Sequence, residues 1–550
     1  MQAYSSKNLL YFIALLTGTF LYSCKPYDTI ISGGTVYDGT GKQGLQTDVG
    51  IKKDRIKAIG DLPEKKAKVV IDANGKAVSP GFINNLSWAY WPLLEDGRSM
   101  SDIKQGVTLE VFGEGSSPGP YNPERTDTER LSFGENMYYL EKKGVSANIA
   151  SFIGATTLRI HQIGEDDRPP TEQELQKMQA LVRESMEEGA LGIGSSLIYP
   201  PAFFASTEEL IALCKVAAEY DGMYISHMRS EGDKLEEAVE ELITIAREAG
   251  IDAEIYHLKA AGKRNWDKLD RVLQQIEAAQ AEGLKVTANM YNYTGASTGL
   301  AACLPPWSQE GGKEAWIKRL TDPKTKQKII AEMQQAENEW ENFLQLAGKP
   351  ENILLLGFDQ DSLKYLTGKN LGEVAEMRKL SPAETAVDLI VANNGNISSA
   401  YFLMSDENVE KQLKLPYITF CSDARSIASE GEQLQYMTHP RTYGNFARLL
   451  GKYVREEKVI PIEEAIHKLT GLSAKKLKIK GRGLLQTGYF ADVVIFDPET
   501  IADKATFKEP HQYAIGVDYV FVNGEMVLKE GEHTGAMPGR FVKGPGAGKD

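Results

Sequence analysis

The sequence has little that would build a disulfide scaffold, bind nucleic acid or remain disordered. Its 550 residues include only four cysteines and no CxxC pair, which excludes a disulfide-rich scaffold and gives no sign of a zinc ribbon or redox motif. Its 62 basic residues are outnumbered by 76 acidic ones, and the net charge of −14 disfavours binding to a phosphate backbone. Because 42% of the residues are hydrophobic, the chain is too apolar to be mainly disordered, and its length of 550 residues predicts two or more packed units.

The first residues have the features of an export signal. Lys7 precedes an apolar run of 13 residues, Leu9–Leu21, which is shorter than the roughly 20 residues of a membrane-spanning helix. The sequence Leu21-Tyr22-Ser23-Cys24 follows and resembles a bacterial lipobox, although Tyr22 is a bulky departure. We therefore expect 1–23 to be a lipoprotein signal peptide, and Cys24 to be lipidated and to anchor the protein in the cell envelope. The alternatives are an uncleaved anchor and an ordinary signal peptide.

Strand-like segments at both ends of the chain enclose a long middle region. Short β-type runs with turn residues occupy residues 24–79 and 481–550, so we expect one small composite β-sandwich domain built from both termini. Between them, in residues 80–480, apolar strand-like runs alternate with amphipathic helical segments, which is typical of parallel βα units. With about seven such units visible, the pattern favours an α/β fold of the (β/α)8 barrel type, and an open doubly wound sheet is the alternative. A polar, helix-forming stretch at about 305–348 interrupts the repeat and is predicted to be a lid.

Four side chains with metal-binding or acidic groups each follow an apolar run. They are Glu114 after VTLEVFG, His227 after GMYIS, His257 after DAEIY and Asp423 after PYITFCS. The carboxyl ends of barrel strands converge on one face, where catalysis on this fold takes place. Two imidazoles and a carboxylate there predict a metal site suited to zinc, with Asp423 available to move protons. The structural alternatives are hydrogen-bonded histidines, a solvated loop carboxylate at Glu114 and a helix N-cap at Asp423.

A series of sequence blocks resembles the N-acyl-D-amino-acid deacylases, or D-aminoacylases, of the amidohydrolase superfamily. In chain order these blocks are VSPGFIN (78–84), QGVTLEVFGEG (105–115), EEGALGIGSSLIYPP (187–201), YISHMRSEGD (224–233), HLKAAG (257–262), NMYNYTGASTGL (289–300), LPPW (304–307), SDA (422–424), HPRTYGNFARLLG (439–451) and GYFADVVIFDP (488–498). The similarity runs from about Asp28 to Arg540. It implies a zinc-dependent (β/α)8 barrel with a terminal β domain and a lid inserted after GASTGL.

The resemblance also implies roles for individual residues. His227, His257 and Glu114 match ligands of the tightly held zinc ion, and Glu114 is preferred to the neighbouring Gly115 as the third ligand. Asp423 matches the catalytic aspartate. Four further residues match the groups that hold the α-carboxylate and nearby oxygen atoms of the substrate: Lys259, Tyr291, Ser297 and Arg441. An arginine fork and a lysine charge are suited to a carboxylate.

One departure from the family pattern affects the metal site. After the first barrel strand the superfamily has a PGFIDxHxH pattern, whereas this chain has Leu86 and Trp88 at the two histidine positions and Asn84 at the acidic one. Neither Leu86 nor Trp88 binds metal, so we expect one zinc ion per chain. Trp88 either lines the acyl pocket or only fills the space of the missing imidazole.

The implied function is hydrolysis of N-acyl-D-amino acids to a carboxylic acid and a D-amino acid, by a water activated by a single zinc ion. The substrate is thus a small molecule, and nothing in the sequence indicates an obligate protein partner. Two alternatives stay open. One is an amidohydrolase acting on another linear or cyclic amide or a dipeptide, and the other is a catalytically inactive, carboxylate-binding envelope lipoprotein.

Overall fold

The computed structural model describes residues 25–124, 129–336 and 338–548, so the predicted signal peptide and Cys24 lie outside the described residues. The strands are β1 (Tyr27–Val36), β2 (Leu45–Lys52), β3 (Arg55–Gly60), β4 (Ala67–Asp72), β5 (Ala77–Pro80), β6 (Phe82–Asn84), β7 (Val107–Phe112), β8 (Asn148–Ser151), β9 (Ile153–Gly154), β10 (Gly192–Ser196), β11 (Met223–His227), β12 (Asp252–Ile255), β13 (Val286–Met290), β14 (Gly295–Gly299), β15 (Ile353–Leu355), β16 (Ser398–Phe402), β17 (Ile418–Phe420), β18 (Val493–Phe496), β19 (Val517–Val522), β20 (Glu525–Lys529) and β21 (Glu532–His533).

The α-helices lie in the middle part of the chain, between Tyr90 and Lys476. They are α1 (Tyr90–Glu95), α2 (Met100–Ile103), α3 (Phe133–Lys143), α4 (Ala155–Gln162), α5 (Glu172–Glu188), α6 (Thr207–Glu219), α7 (Leu235–Ala249), α8 (Lys268–Ala281), α9 (Gly312–Thr321), α10 (Pro323–Met333), α11 (Phe343–Leu346), α12 (Leu371–Arg378), α13 (Pro382–Asn393), α14 (Asp406–Leu413), α15 (Arg441–Arg448), α16 (Ile462–Leu469) and α17 (Gly471–Lys476). Within the described ranges, no helix has both the length and the apolar character needed to span a membrane.

The middle of the chain forms a closed barrel of parallel strands. The spatial order is β6, β7, β8 with its continuation β9, β10, β11, β12, β13 and β17. Two backbone hydrogen bonds complete the ring: Leu191 N donates to Ser151 O at 3.0 Å, and Asp423 N donates to Leu86 O at 3.0 Å. The predicted (β/α)8 barrel is therefore confirmed, and the open doubly wound sheet is excluded.

The strand that the sequence pattern did not show is β6. It is only three residues long, and Pro80 and Gly81 interrupt the apolar run that contains it. Gly81 lies where the chain passes from β5 in the terminal sheet to β6 in the barrel, and a Cβ atom there would lie 1.9 Å from Thr108 Oγ1. Only glycine allows the segment between β5 and β6 to lie so close to β7.

The outer helices follow from their apolar periodicity. On α7 the buried side chains include Leu235, Val239, Leu242 and Ala246, a spacing of three or four residues that places them on one face. That face packs against the barrel, and the helix ends at Gly250, whose φ of 63° suits a glycine C-cap.

Both ends of the chain join in one nine-stranded sheet, so the predicted composite β domain is confirmed. Strand β18 from the C-terminal part pairs antiparallel with β5 from the N-terminal part, with Val493 opposite Pro80 and Phe496 opposite Ala77. Beyond β21 the chain returns to the barrel, where Val542 N donates to Ile149 O at 2.8 Å. The C-terminal segment thus ties the terminal sheet to the barrel wall.

A large insertion separates β13 from β17. It contains the antiparallel sheet β14-β16-β15 and helices α9 to α13, and it has its own apolar core, which includes Leu320, Ile353 and Tyr401. The stretch at 305–348 for which a lid was predicted covers α9 to α11, while the inserted structure begins at β14 and continues to β16. The sheet could not be recognised locally, because β14 and β16 are separated by almost the whole insertion.

Candidate metal centre and active site

Three buried side chains meet at the carboxyl end of the barrel strands. Glu114 lies two residues beyond β7, His227 ends β11, and His257 lies two residues beyond β12. Glu114 Oε1 is 2.7 Å from His227 Nδ1 and 3.1 Å from His257 Nε2. One ligand atom from each residue lies within 4.8 Å of the others, a separation at which they can share a metal ion. The structure thus brings together the three residues predicted as ligands.

A fourth buried residue, Glu231, supports this cluster and was not predicted from the sequence. Its Oε1 lies 2.9 Å from His257 Nδ1 and accepts a hydrogen bond from Lys259 Nζ at 2.5 Å. Its other oxygen lies 3.6 Å from His227 Nε2. A carboxylate behind a metal-binding imidazole fixes the orientation of the ring and raises its basicity. The available sequence signal was the spacing of four residues from His227 in the HMRSE segment.

The electrostatics of the cluster favour a cation. Burial raises the pKa of Glu114, but the adjacent imidazoles outweigh burial and lower it to about 2, so Glu114 stays ionised. Burial and the Lys259 ammonium act to lower the pKa of His257, but the surrounding carboxylates outweigh both and raise it to about 9. His227 Nε2 is buried without a hydrogen-bond partner in the described part of the chain. The nitrogen lacking a partner and the mixed nitrogen and oxygen donor set both fit a zinc ion.

Asp423 lies at the same end of the barrel, three residues beyond β17. Its Oδ1 accepts a hydrogen bond from Trp88 Nε1 at 3.0 Å, and its Oδ2 lies 2.8 Å from Arg441 Nη2. No helix begins at this residue in the described structure, so the helix N-cap alternative is excluded. Asp423 is instead a carboxylate held by two side chains at the barrel mouth.

Three of the four predicted carboxylate-binding residues meet at the Tyr291 ring: Lys259 follows β12, Tyr291 follows β13 and Arg441 begins α15. The Arg441 guanidinium is 4.4 Å and Lys259 Nζ 5.5 Å from the centre of this ring. Arg441 Nη2 also donates to the backbone oxygen of Ser297 at 3.4 Å, whereas the Ser297 hydroxyl donates to Ser399 O. The Ser297 hydroxyl oxygen can therefore accept a hydrogen bond from a ligand. The hydroxyl can donate to a ligand only after its hydrogen bond to Ser399 O is broken.

Several polar atoms near this ring are buried without a partner. Among the described residues they include Tyr291 Oη and the Arg441 atoms Nε and Nη1. Leaving such donors unpaired is costly, which indicates that an anionic ligand completes their hydrogen bonds. A planar guanidinium with two nitrogen atoms free to donate is suited to a carboxylate.

The positions of the missing HxH pair have other structural roles. Leu86 is completely buried in the apolar interior of the barrel with Ile83 and Leu109. Asn84 donates to Asp102 Oδ1 at 2.9 Å and accepts from the backbone N–H of Ser422 at 2.8 Å, so it anchors the segment that carries Asp423. No metal ligand replaces the lost imidazoles at these positions.

The insertion reaches the metal cluster through Glu341. This buried carboxylate accepts hydrogen bonds from Ser230 Oγ at 2.6 Å and from Glu231 N at 3.1 Å. Burial and the neighbouring Glu231 charge raise the pKa of Glu341 to about 7. The contact joins the insertion to the segment after β11, which carries His227 and Glu231.

Comparisons with known proteins agree with this site. A family model described as the amidohydrolase family matches residues 434–528. The D-aminoacylase of Alcaligenes xylosoxydans xylosoxydans is 33% identical over 530 residues, covering 94% of this chain and 98% of that protein. A D-aminoacylase structure is 32% identical, with a TM-score of 0.78, and the match covers 94% of this chain and all of that one. That structure comes from work on the binuclear metal centre of D-aminoacylase, described as one-metal activation and second-metal attenuation. The zinc- and phosphonate-bound N-acyl-D-glutamate deacylase of Bordetella bronchiseptica is 28% identical, with a TM-score of 0.78 and coverage of 94% and 99%.

The barrel with its carboxylate and imidazole cluster and an aspartate after the last strand defines an amidohydrolase. Within that class the similarity extends over nearly the full length of both this chain and its relative. The chain belongs to the D-aminoacylase family, and the recognition made from the sequence blocks is confirmed.

Proposed function

We propose that this protein hydrolyses the amide bond of N-acyl-D-amino acids, releasing a carboxylic acid and a D-amino acid, with one zinc ion per chain. The observation that carries the proposal is the buried cluster of Glu114, His227 and His257 beside Asp423. The chain that holds it matches a D-aminoacylase over 94% of its own length and 98% of the length of that protein. The D configuration is taken from the substrates for which the relatives are named.

Different residues bind the metal and transfer the proton at the scissile amide bond. Glu114, His227 and His257 would hold a zinc ion, which would supply Lewis acidity for the amide carbonyl and for the attacking water. Asp423, held by Trp88 and Arg441, accepts a proton from the attacking water and donates it to the leaving amine nitrogen.

The residues around the Tyr291 ring bind the other end of the substrate. The free N–H groups of Arg441 and the Tyr291 hydroxyl bind the α-carboxylate, and Lys259 adds positive charge on the same side. Binding at this end holds the amide carbonyl in one place relative to Asp423, which is how positioning contributes to rate.

The expectation of a single zinc ion rests on Leu86 and Trp88, which follow β6 at the positions of the HxH pair. The D-aminoacylase described with a binuclear centre shows one-metal activation and second-metal attenuation, which supports a catalytic role for one metal in the family. In this chain Leu86 is apolar and fully buried, and Trp88 donates to Asp423, so neither side chain provides a second set of ligands.

The proposal is tested by metal content per chain together with hydrolysis of paired N-acyl-D- and N-acyl-L-amino acids. About one zinc per chain with D-selective turnover is the expected result, and amidation of the α-carboxylate should abolish the activity. Absence of bound metal and of turnover after zinc is added back would overturn the proposal. Two zinc ions per chain would overturn its single-metal part.

We also propose that the protein is a lipoprotein of the cell envelope. The support is the apolar run Leu9–Leu21 followed by Cys24, which has the length of a signal-peptide core. Wild-type protein expressed in bacteria should partition into detergent with the membrane fraction, and Cys24→Ser should not. A soluble wild-type protein, or a variant that stays lipid-modified, would contradict the assignment.

A further inference from the structure

An aromatic pocket lies beside the proposed active site. Its volume is about 370 Å³, near the lower end of the roughly 300–1,000 Å³ typical of small-molecule sites. Trp88, Tyr90, Trp91, Phe112 and Ile160 form much of its wall. A pocket of this size and character suits one hydrophobic group of a substrate rather than a complete ligand with several polar groups.

The polar side chains of the wall include groups already bonded within the protein. Ser117 Oγ donates to Gly119 O at 2.6 Å and accepts from Gly154 N at 2.9 Å. Asn122 Nδ2 donates to the backbone oxygen of His161 at 2.8 Å. These two side chains are therefore occupied. Ser87 Oγ and Tyr121 Oη, on two other wall residues, are buried without a hydrogen-bond partner in the described part of the chain, so the pocket offers aromatic and apolar contact together with two polar atoms.

The pocket lies across the barrel mouth from Lys259 and Tyr291, two of the carboxylate-binding residues. Its walls come from segments that follow β6, β7 and β9, whereas Lys259 and Tyr291 follow β12 and β13. In the spatial order of the barrel, β7 and β12 are opposite each other. The metal cluster lies between the two sides, because Glu114 from one side and His257 from the other approach to 3.1 Å.

Trp88 connects the pocket to the reacting groups. Its indole N–H donates to Asp423 Oδ1 at 3.0 Å, and the same side chain forms part of the pocket wall. The pocket therefore opens next to the carboxylate that is proposed to move the proton. Trp88 stands where the family pattern has a histidine, so this part of the wall departs from that pattern.

We infer that the pocket binds the acyl group, and that the preferred substrates are N-acyl-amino acids with a hydrophobic acyl group longer than acetyl. This inference rests on the proposed function. When the α-carboxylate is bound near Arg441 and the carbonyl lies at the metal cluster, the acyl substituent is the part of the substrate beyond the carbonyl. The amino-acid side chain instead branches from the α-carbon, on the carboxylate side of the cluster.

The test is a series of N-acyl-D-amino acids with one amino acid and straight acyl chains from acetyl to octanoyl. Because burial of each methylene is favourable, kcat/KM should rise about fourfold per methylene until the pocket is full. Ile160→Trp, which fills the pocket, should lower the ratio of kcat/KM for long chains to that for acetyl by at least about tenfold. Trp91→Ala, which removes the exposed rim of the wall, should flatten the series.

Tyr365→Ala is the matched control, because Tyr365 is 61% exposed and Trp91 is 64% exposed, and Tyr365 lies in the insertion away from the pocket. This variant should keep the wild-type dependence on chain length. Turnover that does not depend on chain length, or an unchanged series in both pocket variants, would overturn the inference and leave the proposed function intact. Failure of wild-type enzyme to hydrolyse any member of the series would overturn both.

Discussion

Asp423 reaches the barrel mouth with a backbone φ of 47°, in the left-handed region that few residues other than glycine, asparagine and aspartate adopt. Asparagine tolerates this conformation, so Asp423→Asn keeps the local backbone while it removes the titratable group and one of the two oxygen acceptors that Trp88 and Arg441 use. We expect kcat to fall by about 10²- to 10⁴-fold, the usual contribution of a general acid and base, while zinc content stays at the wild-type value.

Asp61→Asn, at an exposed position after β3, is the control for the same chemical change and should keep full activity. Loss of zinc together with activity in Asp423→Asn would contradict the role of proton carrier and indicate a metal ligand. Full activity would show that another group moves the proton.

Glu231 acts through His257, not on the substrate. Its carboxylate lies 2.9 Å from His257 Nδ1, on the opposite side of the ring from the nitrogen that faces Glu114. We expect Glu231→Gln to weaken zinc binding by about 10- to 100-fold, as is usual when such a supporting carboxylate is lost. Zinc affinity is measured by competition with a chromophoric chelator.

Glu237→Gln, exposed on α7, serves as the control and should bind zinc as the wild type does. Saturating zinc should restore most of the kcat of Glu231→Gln, because this residue positions a ligand. An unchanged zinc affinity would show that the Glu231 carboxylate has no influence on the metal site.

At the scale of an element, the insertion is held to the barrel at a point where pH should affect its stability. The folded protein raises the pKa of Glu341 from the ordinary value of 4.5 to about 7. The folded state therefore binds the proton more tightly than the unfolded state, and its stability falls as the pH rises from about 4.5 to about 7. Glu341→Gln is neutral throughout, so its Tm relative to the wild type should increase over that interval and stay constant above it.

Thermal unfolding between pH 4 and pH 8 measures this difference. Glu339→Gln is the control from the same segment, because Glu339 has a 92% exposed side chain and should show no such change. Parallel Tm profiles for the wild type and Glu341→Gln would show that the buried carboxyl does not titrate in this interval.

At the scale of the whole molecule, the proposed zinc ligands come from three separate barrel strands, β7, β11 and β12. A bound ion therefore links distant parts of the chain and stabilises the folded state only. At a free zinc concentration about 100-fold above Kd, binding contributes about 2.7 kcal/mol. Chelation should lower the Tm of the protein by several degrees, and added zinc should restore it.

The double variant His227→Ala, His257→Ala should have a Tm that does not respond to the chelator. A wild-type Tm that stays the same after confirmed removal of the metal would contradict the link between the cluster and the barrel. Scanning calorimetry with metal analysis of each sample makes the comparison.

Much of the barrel and its site could be predicted because the relevant signals are local. Long apolar runs marked most of the strands, and Glu114, His227 and His257 follow three of them in the sequence. Strand β6 was not predicted, because its three residues after Pro80 and Gly81 are too few to show a periodicity. The contact of Glu231 with His257 was not predicted, because a loop sequence does not show whether a carboxylate is solvated or buried against an imidazole.

The order of the βα units, the family, and the loss of the HxH pair at Leu86 and Trp88 could all be read from the amino-acid sequence, since each depends on residue type and spacing along the chain. Which atoms come into contact depends on the folded chain. The contacts of Glu231 with His257, of Trp88 with Asp423 and of Glu341 with Ser230 join segments far apart along the chain or depend on side-chain direction. Barrel closure places the aromatic pocket opposite two of the carboxylate-binding residues, because strands distant in sequence become neighbours only when the ring is complete.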